Sequence, residues 1–118
     1  MNLNVVRLSG TGAPGSGRVE VFYNGVWGTV CDDSWDINDA HVVCRMLGFP
    51  KALQANVRAK YGRGRGKIWL SKVKCSGNEA NIAKCSHDRW GKHFCYHSRD
   101  AGVKCSVGEG MVNNRVQL

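Results

Sequence analysis

Alternation of apolar and polar residues is clearest in two runs, Arg18-Val19-Glu20-Val21-Phe22-Tyr23 and Val26-Trp27-Gly28-Thr29-Val30-Cys31, which flank Asn24-Gly25. Two β-rich runs around Asn-Gly predict a hairpin, because both turn residues must tolerate positive φ. The period then changes. Ala40, Val43, Cys44 and Leu47 fall at i, i+3, i+4 and i+7, which predicts a helix over about 38–47 with Cys44 on its buried face. Gly48 supplies a left-handed stop and Pro50 prevents continuation. Further on, Ser76-Gly77-Asn78-Glu79 reads as a capping box for a short second helix carrying Ile82 and Cys85. Ile68-Trp69-Leu70 and Ala101-Gly102-Val103-Lys104-Cys105 read as strands, with glycine-rich loops at 10–17 and 62–67. The pattern is that of a small α+β domain in which strands predominate.

A length of 118 residues suits one domain. Hydrophobic content of 42% argues against disorder. No apolar run approaches the ~18 residues of a membrane span. An integral membrane protein, a fibre and a disordered tail are therefore excluded, and insertion of this domain into a membrane is not expected.

Six cysteines, Cys31, Cys44, Cys75, Cys85, Cys95 and Cys105, add a constraint that periodicity does not contain. None form the close C-x-x-C pairs that aim two thiolates at one zinc ion. A nucleophilic thiol is also a poor reading of six cysteines spread along a small fold. A disulfide framework is expected, and with it an oxidising, extracellular setting, either secreted or in a receptor ectodomain. Spacing alone leaves about 15 connectivities open. The start, Met1-Asn2-Leu3-Asn4-Val5, lacks the basic and apolar regions of a signal peptide, so the chain is expected to be a piece of a longer one. Asn114-Arg115-Val116-Gln117-Leu118 echoes Asn4-Val5-Val6-Arg7-Leu8. The expected organisation is linker residues at 1–4, the domain at 5–106, and at 107–118 a linker running into the start of a following repeat.

These residues carry a resemblance. Gly17-Arg18-Val19-Glu20-Val21, Trp27-Gly28-Thr29-Val30-Cys31-Asp32-Asp33, Val43-Cys44-Arg45-Met46-Leu47-Gly48-Phe49, Ile68-Trp69-Leu70 and Cys75-Ser76-Gly77-Asn78-Glu79 occur in the family's order. So do Cys95, His97 and Asp100-Ala101-Gly102-Val103-Lys104-Cys105. The chain resembles the scavenger receptor cysteine-rich domain, and its six cysteines resemble group A of that family. The resemblance implies the pairings Cys31–Cys95, Cys44–Cys105 and Cys75–Cys85, and a curved sheet cradling one helix. It also implies an extracellular module that binds proteins or polyanions, without catalysis of its own, in a scavenger, adhesion or innate-immune receptor. The alternative is a targeting module in a secreted multidomain enzyme of protease or lysyl oxidase type.

Charge sharpens the binding expectation. The net charge is +8, yet nine cations and no acid lie between Arg45 and Lys74, so one segment accounts for the whole excess. Within it, Gly62-Arg63-Gly64-Arg65-Gly66-Lys67 alternates cations with glycines, which let guanidinium forks and backbone N–H groups approach an anion closely. Arg58, Lys60, Arg63, Arg65 and Lys67 are the candidate anion-binding residues. Sulfated glycans, bacterial surface polymers, anionic lipid or extracellular proteins are the expected partners. No reading helix, stacking motif or zinc finger points to sequence-specific nucleic acid.

Four of the nine acids crowd into 32–39, and such oxygen clusters can hold Ca²⁺. The resemblance makes Asp32, Asp33 and Asp36 the candidate metal residues. In the family's metal-binding members a His-x-Glu-Asp stretch supplies a further ligand, but here it reads His97-Ser98-Arg99-Asp100, and Phe94 stands where a second site has Asn. Arg99 is therefore expected to pair with Asp32 or Asp33, and Asp36 or Asn38 to cap the helix. No cofactor is expected, and calcium is doubtful. No Gly-x-Ser-x-Gly elbow or phosphate loop supports an enzyme.

Overall fold

The computed structural model describes residues 5–107. Six strands form one sheet: β1 (Val5–Ser9), β2 (Ser16–Tyr23), β3 (Val26–Val30), β4 (Ala52–Asn56), β5 (Lys67–Leu70) and β6 (Gly102–Cys105). The order is β4-β6-β2-β3-β5, with β1 paired to β2. Only β3 and β5 run parallel. The Asn-Gly hairpin forms as its sequence predicts, with Asn24 at φ 51° and Gly25 at φ 80°.

One helix, α1 (Ile37–Met46), packs against β4 and β6. The Asp36 carboxylate accepts the N–H groups of Asn38 and Asp39, and the Asp39 carboxylate accepts the Asp36 N–H in return. At the other end Gly48, at φ 91°, donates to Arg45 O while Phe49 donates to Cys44 O, closing the helix with a left-handed cap. Ala40, Val42, Val43 and Cys44 face a core completed by Val19, Val21, Val30, Leu70, Val73, Ile82 and Val103. Each of the larger of these side chains contributes about 1.5–3 kcal/mol by leaving water.

The second helix is shorter than expected. It is a 3-10 turn, Ile82–Lys84, and its cap is Asn81, whose side chain accepts the Ala83 N–H. Glu79 does reach back to the Ser76 hydroxyl and to the N–H groups of Ser76 and Gly77, but this closes a local turn ahead of the helix. Those donors hold the half-buried Glu79 carboxyl down to about 2. The strand Ala52–Asn56 was not apparent in the sequence pattern. Residues 1–4 and the tail echo at 114–118 lie outside the described residues.

The sulfurs join Cys31 to Cys95, Cys44 to Cys105 and Cys75 to Cys85. Cys44 ties the buried face of α1 to the end of β6, so one bond fixes the helix on the sheet.

Asp39 is fully buried beneath the helix start, where its Oδ1 accepts the Cys75 N–H at 2.7 Å. Burial pushes its carboxyl up to about 6, and the nearby Asp36 adds to the rise against the pull of its two N–H donors. The folded state thus holds this proton more tightly than the unfolded chain does. The resulting stabilisation is complete below the unfolded value near 3.8 and is lost as pH rises through about 6. Urea unfolding is expected to show stability rising from pH 7 to pH 5, by about 1 kcal/mol from this group. A flat or falling stability over that interval would contradict the assignment.

Candidate functional site

Arg18 and Glu20 share the β2 face opposite Val19 and Val21, because side chains alternate along a strand. The register sets Arg7 of β1 and Thr29 of β3 on either side of Glu20. This outer face becomes an ionic cluster. Glu20 Oε1 accepts from Arg7 Nε at 2.8 Å and from Ser9 Oγ at 3.1 Å, while Oε2 accepts from Arg18 Nε at 2.9 Å. Burial would raise the Glu20 carboxyl, but the hydrogen bonds from Arg7, Arg18 and Ser9 outweigh it and hold the group below its usual range. Its stabilisation is present above the unfolded value near 4.5 and is lost as pH falls through the lower folded value. Glu20→Gln is accordingly expected to flatten the acid limb of the stability curve.

The 62–67 loop is anchored over this face. Arg18 Nη1 donates to Gly62 O at 3.1 Å, and the Gly64 N–H donates to the buried Asp100 carboxylate at 2.6 Å. His97 Nε2 donates to Gly66 O at 2.9 Å, while its Nδ1 faces Asp100 Oδ2 at 3.0 Å. A Cβ on Gly64 would lie 2.6 Å from Thr29 Cγ2, so only glycine fits there. This corrects one expectation from the sequence: the Gly64 N–H is spent on an internal carboxylate and is not offered to a ligand.

The anchoring places Arg63 and Arg65 beside Arg7, Arg18, Glu20 and Trp27 around a concavity of about 280 Å³. Four arginines and one glutamate line it, and Glu20 is paired with two of them, Arg7 and Arg18. The Arg7 guanidinium lies 4.0 Å from the Trp27 ring centroid, and that ring in turn meets Phe22 at 5.2 Å.

The five candidate cations do not form one site. Arg58 lines a different concavity, of about 550 Å³, with Asp32, Val57, Ser98 and Arg99. Lys67 lines a third, of about 260 Å³, with His93, Tyr96 and His97. Lys60 lines none of these three, and its ammonium lies 5.9 Å from the Tyr61 ring. Arg7, Arg18 and Trp27 were missed by sequence reasoning, because net charge averaged Arg7 and Arg18 against acids elsewhere. The available signal was strand alternation: Arg18 and Glu20 two apart on β2, with Arg7 on a strand that could pair with it.

Asp32 and Asp36 of the acidic cluster are internally committed. Asp32 Oδ1 takes Arg99, from Nε at 3.0 Å and Nη2 at 2.9 Å, and Oδ2 accepts the Arg58 N–H at 2.8 Å. The partner of Arg99 is thus Asp32, not Asp33. Asp36 serves as the helix cap. Calcium wants about six to eight oxygen ligands, and a site holding a guanidinium and three backbone N–H donors on its carboxylates does not fit it.

The comparisons agree with this architecture. The family model for the scavenger receptor cysteine-rich domain matches residues 9–106. Galectin-3-binding protein of Pongo abelii is 54% identical over 101 residues, covering 86% of this chain and 17% of that protein. Macrophage scavenger receptor types I and II of Mus musculus is 49% identical, covering 88% of this chain and 23% of the relative. Lysyl oxidase homolog 2 of Gallus gallus is 54% identical over 90 residues, covering 76% and 12%. The chain therefore spans less than a quarter of each of these relatives, in which it corresponds to one module. Among solved structures, the third such domain of murine neurotrypsin superposes with a TM-score of 0.80 at 47% identity, covering 86% of this chain and 95% of that one. The corresponding domain of mouse MARCO gives 0.74 at 51%, covering 81% and 91%. Among the described residues, no helix is long and apolar enough to cross a membrane. With its curled sheet, single helix, three disulfides and match over residues 9–106, the chain belongs to the scavenger receptor cysteine-rich domain family.

Proposed function

We propose that this chain is a non-catalytic extracellular recognition module that binds polyanions through the arginine cluster of Arg7, Arg18, Arg63 and Arg65. The observation carrying this reading is that four arginines line one concavity of about 280 Å³ with a single, already paired glutamate among them. Glu20 fixes Arg7 and Arg18 through their Nε atoms, and the pinned loop presents Arg63 and Arg65 beside them. Guanidinium forks suit sulfate, phosphate and carboxylate oxygens, so sulfated glycans, bacterial surface polymers and anionic lipid headgroups share the required chemistry. Arg99 neutralises Asp32 where an ion would otherwise be needed, so binding should proceed without calcium.

Arg63→Ala with Arg65→Ala is expected to lower heparin retention and flatten its salt dependence, with unchanged thermal unfolding and no effect of EDTA on the wild type. Each exposed phosphate- or sulfate-type contact is lost with its share of counterion release. Unchanged retention would move the site elsewhere, and loss of wild-type retention in EDTA would restore a metal to the mechanism.

The similarity to Lysyl oxidase homolog 2 supports a second setting, in which the same surface targets a secreted multidomain enzyme. Both settings use this chain for recognition.

A further inference from the structure

From Arg89 to Arg99 the chain has no acidic residue and three cations, of which Arg99 is paired with Asp32 and Arg89 and Lys92 remain for the loop. The same segment carries the most exposed large aromatics among the described residues, Phe94 at 94% and Tyr96 at 77%. They flank Cys95, which its disulfide ties to Cys31 at the end of β3. The Cys95 N–H also donates to His93 Nδ1 at 3.1 Å. Two aromatic side chains are thus held outward by a stapled loop, with no core of their own to cover.

Beside them is the concavity of about 260 Å³ lined by Lys67, Ile68, His93, Tyr96 and His97. Because His93 Nδ1 accepts a backbone N–H, its ring proton sits on Nε2, which makes it a donor. Of the two acids that bound the segment, Asp100 is buried and bonded to Gly64 and His97, which leaves the half-buried Asp88 beside Arg89 as the one carboxylate near the loop's start.

We propose that this face docks onto an anionic lipid bilayer, with headgroup phosphates at Lys67 and His93 and with Phe94 and Tyr96 entering the headgroup–acyl boundary. The domain lies on the bilayer and does not span it. Charge complementarity supports this occupant: an acid-free cationic loop meets a negative leaflet, while aromatic rings favour the interface. A protein partner would need a socket shaped around Phe94, whereas a bilayer accepts the ring without one. The surface is distinct from the arginine cluster, and the two can be separated by mutation.

Flotation with vesicles of phosphatidylcholine alone and with added phosphatidylserine tests the proposal. The wild type should float only with the anionic vesicles. Phe94→Ser with Tyr96→Ser should weaken that binding at least about tenfold while leaving heparin retention and thermal unfolding unchanged. In a Phe94→Trp variant, emission should shift to the blue on anionic vesicles as the ring enters the boundary. Three results would overturn the proposal: no flotation, flotation indifferent to the aromatic pair, or loss only in the Arg63→Ala Arg65→Ala variant. Adherence to cells that protease treatment abolishes, without vesicle binding, would assign the face to a protein and also overturn it.

Discussion

Replacing Cys44 and Cys105 together by serine is expected to abolish cooperative folding. The bond closes a separation of 61 residues, for which the chain-entropy model gives about 4 kcal/mol. Both sulfurs are buried, so the substitution also places two hydroxyls in an apolar contact between α1 and β6. A domain with about 5–15 kcal/mol of total stability would lose its margin. The Cys75–Cys85 bond provides the comparison, since its separation of 10 residues corresponds to about 3 kcal/mol and it staples only a local segment. The Cys75→Ser Cys85→Ser variant should therefore unfold at lower temperature but still cooperatively. Near-ultraviolet circular dichroism during heating distinguishes the outcomes. A Cys44→Ser Cys105→Ser protein that melts like the wild type would show that packing alone holds the helix.

Asp100→Ala should be nearly as damaging, for a different reason. Its carboxylate is fully buried and takes the Gly64 N–H at 2.6 Å while facing the His97 ring. Truncation takes the acceptor from the half-buried Gly64 N–H and a partner from the half-buried His97 ring, at a cost of about 1–3 kcal/mol. The backbone around Asp100 would remain attached, since its O accepts the Ala59 N–H and the residue bridges to Cys31. The loop carrying Arg63 and Arg65 would lose its central pin, so heparin retention should fall along with stability. Asp100→Asn keeps an acceptor for Gly64 and should cost less in both measurements. Chemical denaturation placing Asp100→Ala within about 1 kcal/mol of the wild type would show that Asp100 does not anchor the loop.

Local features were legible in the sequence. The Asn-Gly hairpin, α1 and its glycine stop each depend on a few neighbouring residues. β4 was not legible, because Ala52-Leu53-Gln54-Ala55-Asn56 has neither alternation nor β-branched residues and becomes a strand by pairing with β6. Ser76 and Glu79 matched a capping pattern, yet backbone geometry put the cap at Asn81. The disulfide pairing came from family resemblance, as spacing left it open. For the candidate site, Arg63 and Arg65 were visible as a tract, but Arg7 and Arg18 join them only through a strand register and a loop crossing of 44 residues.

The alternation in the 62–67 loop divides labour residue by residue. Gly62, at φ 95°, offers its carbonyl to Arg18, Gly64 wedges against Thr29, and Gly66, at φ 75°, is held by His97. The arginines between them are exposed and carry none of those contacts. Conformation and chemistry are thus encoded at separate positions, so the tract behaves as an interchangeable cassette. A library varied only at 63 and 65, with its three glycines kept, could exchange sulfate-binding forks for carboxylates or aromatics on an unaltered scaffold.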